Sequence, residues 1–427
     1  MIAKVPLLNT KRDFYILALV TFFLLFYSLL IEYNNYLHLT KFDSCIIEAQ
    51  VLKQYTKTKQ TKTGKIKTYQ VLKLKSSKGF SFYTSLPKKT PQLLGKKIKL
   101  EVWMGDISFY EYMSSFYSFS KLLYIYKEPS YKEKSQNFIA SQHKEKNLAT
   151  IYNALFSASV LTPKLQTQFS SLGISHLIAI SGFHLGVLSA ILFFLIKFPY
   201  KFLQERYFPY RSYARDSFVV IALILLSYLI FLDSPPSLLR AYGMLLIGFI
   251  LYDRGIEVIS MQTLFLSVLI LLALFPRLLF SIGFFLSVSG VFYIFLFILY
   301  FKHLSKLWQF FLLPFWVYIC MLPYSLVIFG NFSLYHPLSI LWTSLFTLFY
   351  PLSLLLHIFS LGDILDPLLK WLLGIKLDTI EMELSYGWLG VQVALSLAAL
   401  YKKSFVSLLF IFDMAFFIYA IYYVTQF

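Results

Sequence analysis

The 427 residues are 58% hydrophobic and only 14% charged, and Lys and Arg exceed Asp and Glu by 18. A soluble protein carries about a quarter charged residues, so a water-soluble globular enzyme is excluded; apolar runs of about 18 or more residues indicate a polytopic membrane protein instead. Cys45 and Cys320 lie far apart in sequence and support neither a disulfide framework nor a zinc signature.

In chain order, the apolar run 14–31 follows Lys4, Lys11 and Arg12. It is long and no small-x-small cleavage site follows it, so it reads as a retained anchor. The one long polar region comes next, from about residue 38 to residue 150. Between positions 41 and 146 stand 21 lysines, no arginine and eight acidic residues, which supplies +13 of the formal +18. Within it, residues 44–52, 68–75, 79–84 and 96–104 concentrate β-formers between turn signals, which predicts a small all-β barrel of OB-like type. Tyr55, Tyr69, Phe80, Phe82 and Tyr83 interleave with the lysines. Lys57, Lys59, Lys62, Lys65, Lys67, Tyr69 and Phe82 are therefore candidates for sequence-independent contact with a single strand, lysines for phosphates and rings for bases. A solvated lysine-rich domain whose aromatics pack its own core is the plainer alternative. Residues 110–126 suit an interfacial or re-entrant helix. Residues 127–146 form a charged connector, and 148–172 an amphipathic helix pair broken by Pro163.

Nine further spans are expected at 176–196, 218–232, 238–252, 263–275, 278–300, 307–329, 337–359, 388–400 and 404–424. The fold class is thus a polytopic α-helical membrane protein of about ten spans, with a small external OB-like domain inserted after the first. The domains read as an anchor (1–37), the barrel (38–109), interfacial helices and connector (110–172) and a multi-span region (173–427). If the spans alternate, the basic loops 197–215, 253–254 and 302–306 share one side with the basic N-terminus. That side is cytoplasmic by the positive-inside rule, and the barrel is outside.

Polar residues at membrane depth are costly and usually face a protein interior or a wet cavity. His176, Ser181 and His184 open the second span. On a continuous helix the two histidines stand about 80° apart and share a broad face, but they lack the spacing of a metal pair. Gly182 and Gly186 permit close helix approach or an unwound turn. Arg240 either pairs with Asp233 or lines a wet path for an anion. Pro323, Gly330, Pro337 and Pro351 break the spans around residue 330, in the manner of discontinuous helices that frame translocation paths. No GxxxxGK[ST] loop is present.

These residues carry a resemblance. The run Gly173-x-x-His176-Leu177-x-Ala179-Ile180-Ser181-Gly182-x-His184 is similar to the signature of the competence protein ComEC family. So are Ser237-x-x-Arg240-Ala241, Gly283-Phe284-x-Leu286-Ser287, and the series Leu322-Pro323, Phe329-Gly330-x-Phe332-Ser333, Pro337-Leu338 and Pro351. The likeness implies an inner-membrane channel that moves single-stranded DNA during natural transformation. It implies no cofactor, metal or catalytic residue. It implies as partners the lipid bilayer, a periplasmic DNA receptor, a cytoplasmic helicase or strand-coating proteins, and a second copy of the chain. His176, Ser181, Gly182, His184, Arg240, Pro323, Gly330 and Pro337 are the candidates for the DNA path. The chain departs from the family at Phe156-Ser157-Ala158-Ser159 and at Ile340. It also has no HxHxD motif, so it reads as a short form without the metallo-β-lactamase-like nuclease. Two rivals use the same residues: a transporter of another anion or anionic polymer, and an intramembrane serine hydrolase centred on Ser181 with His336 or His357 as base. The hydrolase lacks the first glycine of a GxSG turn, Ala179 standing there.

Overall fold

The computed structural model describes residues 10–60, 66–105, 107–126, 131–375 and 380–426, and these divide into two compact units. One consists of Thr10–Lys134 and Leu269–Ser281. Its first helix, α1 (Lys11–Thr40), starts at a reciprocal cap. Asp13 N–H donates to Thr10 Oγ1 at 3.2 Å and Thr10 N–H to Asp13 Oδ2 at 2.9 Å, which satisfies two of the donors a helix start leaves orphaned.

The strands are β1 (Ser44–Gln60), β2 (Ile66–Ser76), β3 (Ser81–Pro87) and β4 (Lys97–Trp103), followed by α2 (Phe109–Ser114), β5 (Phe116–Tyr117) and β6 (Ser120–Ile125). Their order is β5-β3-β2-β1-β4-β6, antiparallel throughout except for β3 with β5. The two outermost strands are consecutive in the chain. Ser118 N–H donates to Tyr83 O at 2.9 Å and Trp103 N–H to Phe119 O at 3.1 Å, so one segment seals both sheet edges into a barrel. Alternation sends Leu72, Leu74, Phe80, Phe82, Ile98, Leu100 and Val102 into a core that excludes water completely. The OB-like expectation is met.

The interfacial helix expected over 110–126 is corrected: only its first turns are helical, and the rest closes the barrel. Residues 116–119 alternate inward and outward, but the inward positions include the small Ser118, which hides the period-two pattern from a reading by hydropathy. Arg277, from the second segment of this unit, forks onto Glu32 of α1 at 2.8 and 2.7 Å. Its guanidinium lies 4.4 Å from the Tyr112 ring centre, and burial pushes the Tyr112 hydroxyl up to about 12.

The other unit comprises Ser135–Val268 and Ile282–Phe427. Its helices, with two that run across its chain boundaries, are α3 (Tyr131–Ser141), α4 (Lys146–Ser157), α5 (Pro163–Ser171), α6 (Ser175–Ile178), α7 (Gly182–Tyr207), α8 (Tyr213–Phe231), α9 (Pro236–Asp253), α10 (Met261–Leu274), α11 (Ile282–Phe301) and α12 (Lys306–Phe329). After β7 (Asn331–Phe332) come α13 (Ser339–Ile358) and α14 (Asp366–Gly374), then β8 (Ile380–Glu381), α15 (Gly387–Ala398) and α16 (Lys403–Gln426). Each of the ten expected spans overlaps a helix, although the one expected over 176–196 takes in a break between α6 and α7. Among the described residues, α1, α7, α8, α11, α12, α13 with its preceding turn, and α16 are long and apolar enough to cross a bilayer, while α10 and α15 are shorter apolar helices. The chain is a multi-pass membrane protein. Val219, Leu223 and Ile230 on α8 are exposed, as lipid-facing side chains are in the absence of lipid.

The helix pair expected over 148–172 is α4 and α5, with Pro163 opening the second behind the cap Thr162, where its missing N–H costs nothing. And α4 is no surface helix: Leu148, Ile151, Tyr152 and Leu155 are fully buried against Phe346 and Tyr350 of α13 and Leu369 of α14.

Candidate functional site

The segment 176–184 is not one helix. α6 ends at Ile178, Ala179 is extended, and Ser181 caps α7, which starts at Gly182. The shared helical face expected for His176 and His184 therefore does not exist. His176 is exposed and its Nε2 lies 3.4 Å from Thr343 Oγ1 on α13. His184 is buried; its Nδ1 accepts from Ser181 N–H at 3.2 Å and lies 3.2 Å from Ser181 Oγ. In the neutral ring this assigns the proton to Nε2, and Nε2 is buried with no hydrogen-bond partner.

The break brings two sequence motifs together. Ser237 Oγ donates to Ile180 O at 2.8 Å. A Cβ on Gly182 would stand 3.2 Å from Ala241 Cβ and 3.8 Å from Arg240 Nη2, so any side chain here would make α9 give way by a few tenths of an ångström. Arg240 is 3% exposed, and its Nε and Nη1 have no hydrogen-bond partner. Unpartnered N–H groups of Arg240 and His184 thus flank the N-terminus of a 26-residue helix, whose own amides and dipole also favour negative charge. Gly182→Val should push α9 away from α7 and cost about 1–3 kcal/mol of stability; a melting temperature equal to wild type would refute the need for this close approach.

Pro323 lies buried within α12, Gly330 closes that helix with φ +68, and Pro337 opens the turn before α13. A Cβ on Gly330 would stand 3.1 Å from Met382 O, and Met382 N–H donates to Gly330 O at 2.6 Å beside the β7–β8 pair. Gly330 and Pro337 shape the connection from α12 to α13, Pro323 lies inside α12, and none of the three is among the atoms that meet at Gly182. His336 Nε2 donates to Ser170 O at 2.9 Å, and its ring packs where a Cβ of Gly173 would be, at 3.2 Å.

One cluster escaped the sequence reading. His143 Nδ1 lies 2.9 Å from Asp366 Oδ1, and His143 Nε2 lies 3.0 Å from His357 Nε2. His357 Nδ1 donates to Ser353 O at 2.6 Å, and Tyr152 stacks on His143 with ring centres 4.4 Å apart. Position 143 sits in a lysine-rich connector more than 200 residues from its partners, so no local pattern marks it. Neither His336 nor His357 is free to serve Ser181. Among the described residues no group of three or more His, Cys, Asp or Glu could hold a metal ion.

On the barrel, Phe82 is corrected as a candidate. It is fully buried and stacked on Phe116 at 5.6 Å, because even positions of β3 face inward, and it offers no face to a base. Lys57 and Tyr69 are register partners on β1 and β2. Lys59 and Lys67 pair as backbone partners on the same strands, and Lys62 and Lys65 lie outside the described residues. The row that reading missed runs across four strands: Lys53, Lys73, Tyr83 and Tyr117 are successive register partners. Lys73 Nζ stands 5.3 Å from the Tyr83 ring centre, and Tyr117 is half exposed with Phe119 edge-on at 5.8 Å.

A family model described as Competence protein matches residues 157–427. The chain belongs to the competence protein family. No curated relative matches it, and no solved structure matches it. The matched residues include every candidate for the DNA path, from His176 to Pro337, and both sides of the Gly182–Arg240 contact. The barrel precedes the match.

Proposed function

We propose that this competence family protein passes single-stranded DNA across the cytoplasmic membrane, with its N-terminus inside and the barrel outside. The observation that carries the reading is Arg240: a buried guanidinium with unpartnered N–H groups at the start of α7. An unpaired buried charge costs several kcal/mol, and a passing phosphate is the anion that relieves it. Such a donor set alone would suit any anion. The Lys53–Lys73–Tyr83–Tyr117 row favours a nucleic acid, since it joins phosphate-seeking ammoniums to rings that stack bases without reading them. With no P-loop in the sequence, directional force falls to a partner such as a cytoplasmic helicase or strand-coating proteins, and a periplasmic receptor delivers the DNA. Ser181 as a nucleophile fits less well, because its neighbour His184 spends its Nδ1 lone pair on the cap.

Labelled double-stranded DNA offered to a strain lacking the chain should remain on the cell surface, accessible to added nuclease, whereas complementation restores a protected single strand. Protected DNA at wild-type level in the deletion strain would sink the channel reading. For the barrel, Lys53→Ala with Lys73→Ala should lower the salt dependence of single-strand binding by about 0.7 in log–log slope per lysine. Tyr83→Ala should weaken binding by about 1–3 kcal/mol. Titrations of the purified full chain at several salt concentrations measure both.

A further inference from the structure

The bundle of α11, α12, α15 and α16 contains an acid that the DNA reading does not use. Asp413 on α16 is wholly buried, and neither of its carboxyl oxygens has a hydrogen-bond partner. Its neighbours are Gln392 of α15 and Cys320 and Tyr324 of α12. Gln392, also wholly buried, donates from Nε2 to Tyr293 OH at 2.9 Å and to Cys320 O at 3.1 Å. Those two acceptors fix the amide orientation, and Gln392 Oε1 is left without a donor. Tyr293 of α11 continues the network to Ser396 at 2.8 Å and Tyr324 at 3.4 Å. The orphaned atoms of this cluster are all acceptors: two carboxyl oxygens and one amide oxygen.

No lysine, arginine or histidine acts on Asp413. The titratable groups facing it are Cys320 and Tyr324 from α12, with Tyr293 of α11 behind them; α15 presents only the neutral Gln392 and Ser396. A carboxylate isolated at membrane depth is expensive, and buried acceptors without donors call for a positive species. One carboxylate among neutral groups matches a single positive charge. We propose that Asp413, with Gln392 and the Tyr293–Tyr324 hydroxyls, forms an intramembrane binding site for one small monovalent cation, a proton or a sodium ion.

The test uses the purified full chain in nanodiscs, wild type and Asp413→Asn, with melting followed in sodium, potassium and choline salts across about pH 5 to 10. Sodium binding raises the wild-type Tm by about 5 °C above the potassium and choline values, most at high pH, and leaves Asp413→Asn unmoved. Proton binding makes the wild-type Tm fall with rising pH in every salt, and more steeply than that of Asp413→Asn. Equal responses of the two proteins to salt and to pH overturn the site. Should the variant not fold, infrared difference spectra of the chain carrying Asp366→Asn, which removes the other buried carboxyl group raised by its surroundings, decide: a protonated-carboxyl band lost on raising pH or adding sodium supports the proposal, and no change in that band overturns it.

Discussion

Arg240→Ala is expected to reduce internalised DNA at least about tenfold to a hundredfold while DNA still binds the cell surface. A charged hydrogen bond contributes about 1.5–3 kcal/mol, and every phosphate of the strand would meet the same residue in turn. Stability should move the other way. Arg240 Nε and Nη1 have no hydrogen bonds to lose, so its removal takes a poorly compensated buried charge out of the fold, and Tm should hold or rise. Arg240→Lys should fall between, keeping the charge but losing the planar fork. Uptake and melting of the purified variants separate the roles: a lower Tm with near-normal uptake per folded molecule would make Arg240 a packing residue and sink the phosphate reading.

Asp366→Ala should cost about 3–5 kcal/mol of stability, the usual loss when one partner of a buried pair is removed. The hydrogen bonds show why. His357 Nδ1 donates to Ser353 O, so its Nε2 accepts from His143, and one further proton must sit between His143 Nδ1 and Asp366. Asp366→Asn can supply that proton from its amide and should cost less than about 1 kcal/mol. Burial raises Asp366 above the ordinary carboxylate range, with the charge of His143 opposing it. A carboxyl group raised in the folded state contributes stability that is fully present below its unfolded value near 3.8 and is lost as pH rises through the folded value. Asp366→Asn should therefore melt with a flatter pH profile on that side, and an unchanged profile would refute the assignment.

The spans were legible because apolar runs of that length have few other uses. The barrel strands were legible where large side chains alternate, as in β3 and β4, and illegible where Ser118 faces inward. Gly182 and Arg240 each stood out alone, one as a glycine among apolar residues and one as a charge inside a span. Their contact did not, since it depends on a helix break that Ser181 and His184 create by capping. His143 was invisible for the same reason that Asp366 was: each is an ordinary polar residue until a distant helix supplies its partner.

The sealing of the barrel by residues 116–125 bears on how the protein can be cut. A fragment that stops at β4 would leave the edges of β3 and β4 bare, a template for strand addition and precipitation. Extending it to Ile125 would restore the closure, but Glu32, which Arg277 engages, and the Tyr112 ring would still be uncovered. A faithful excised domain therefore needs two pieces of chain, the second supplied in trans or joined by a short linker.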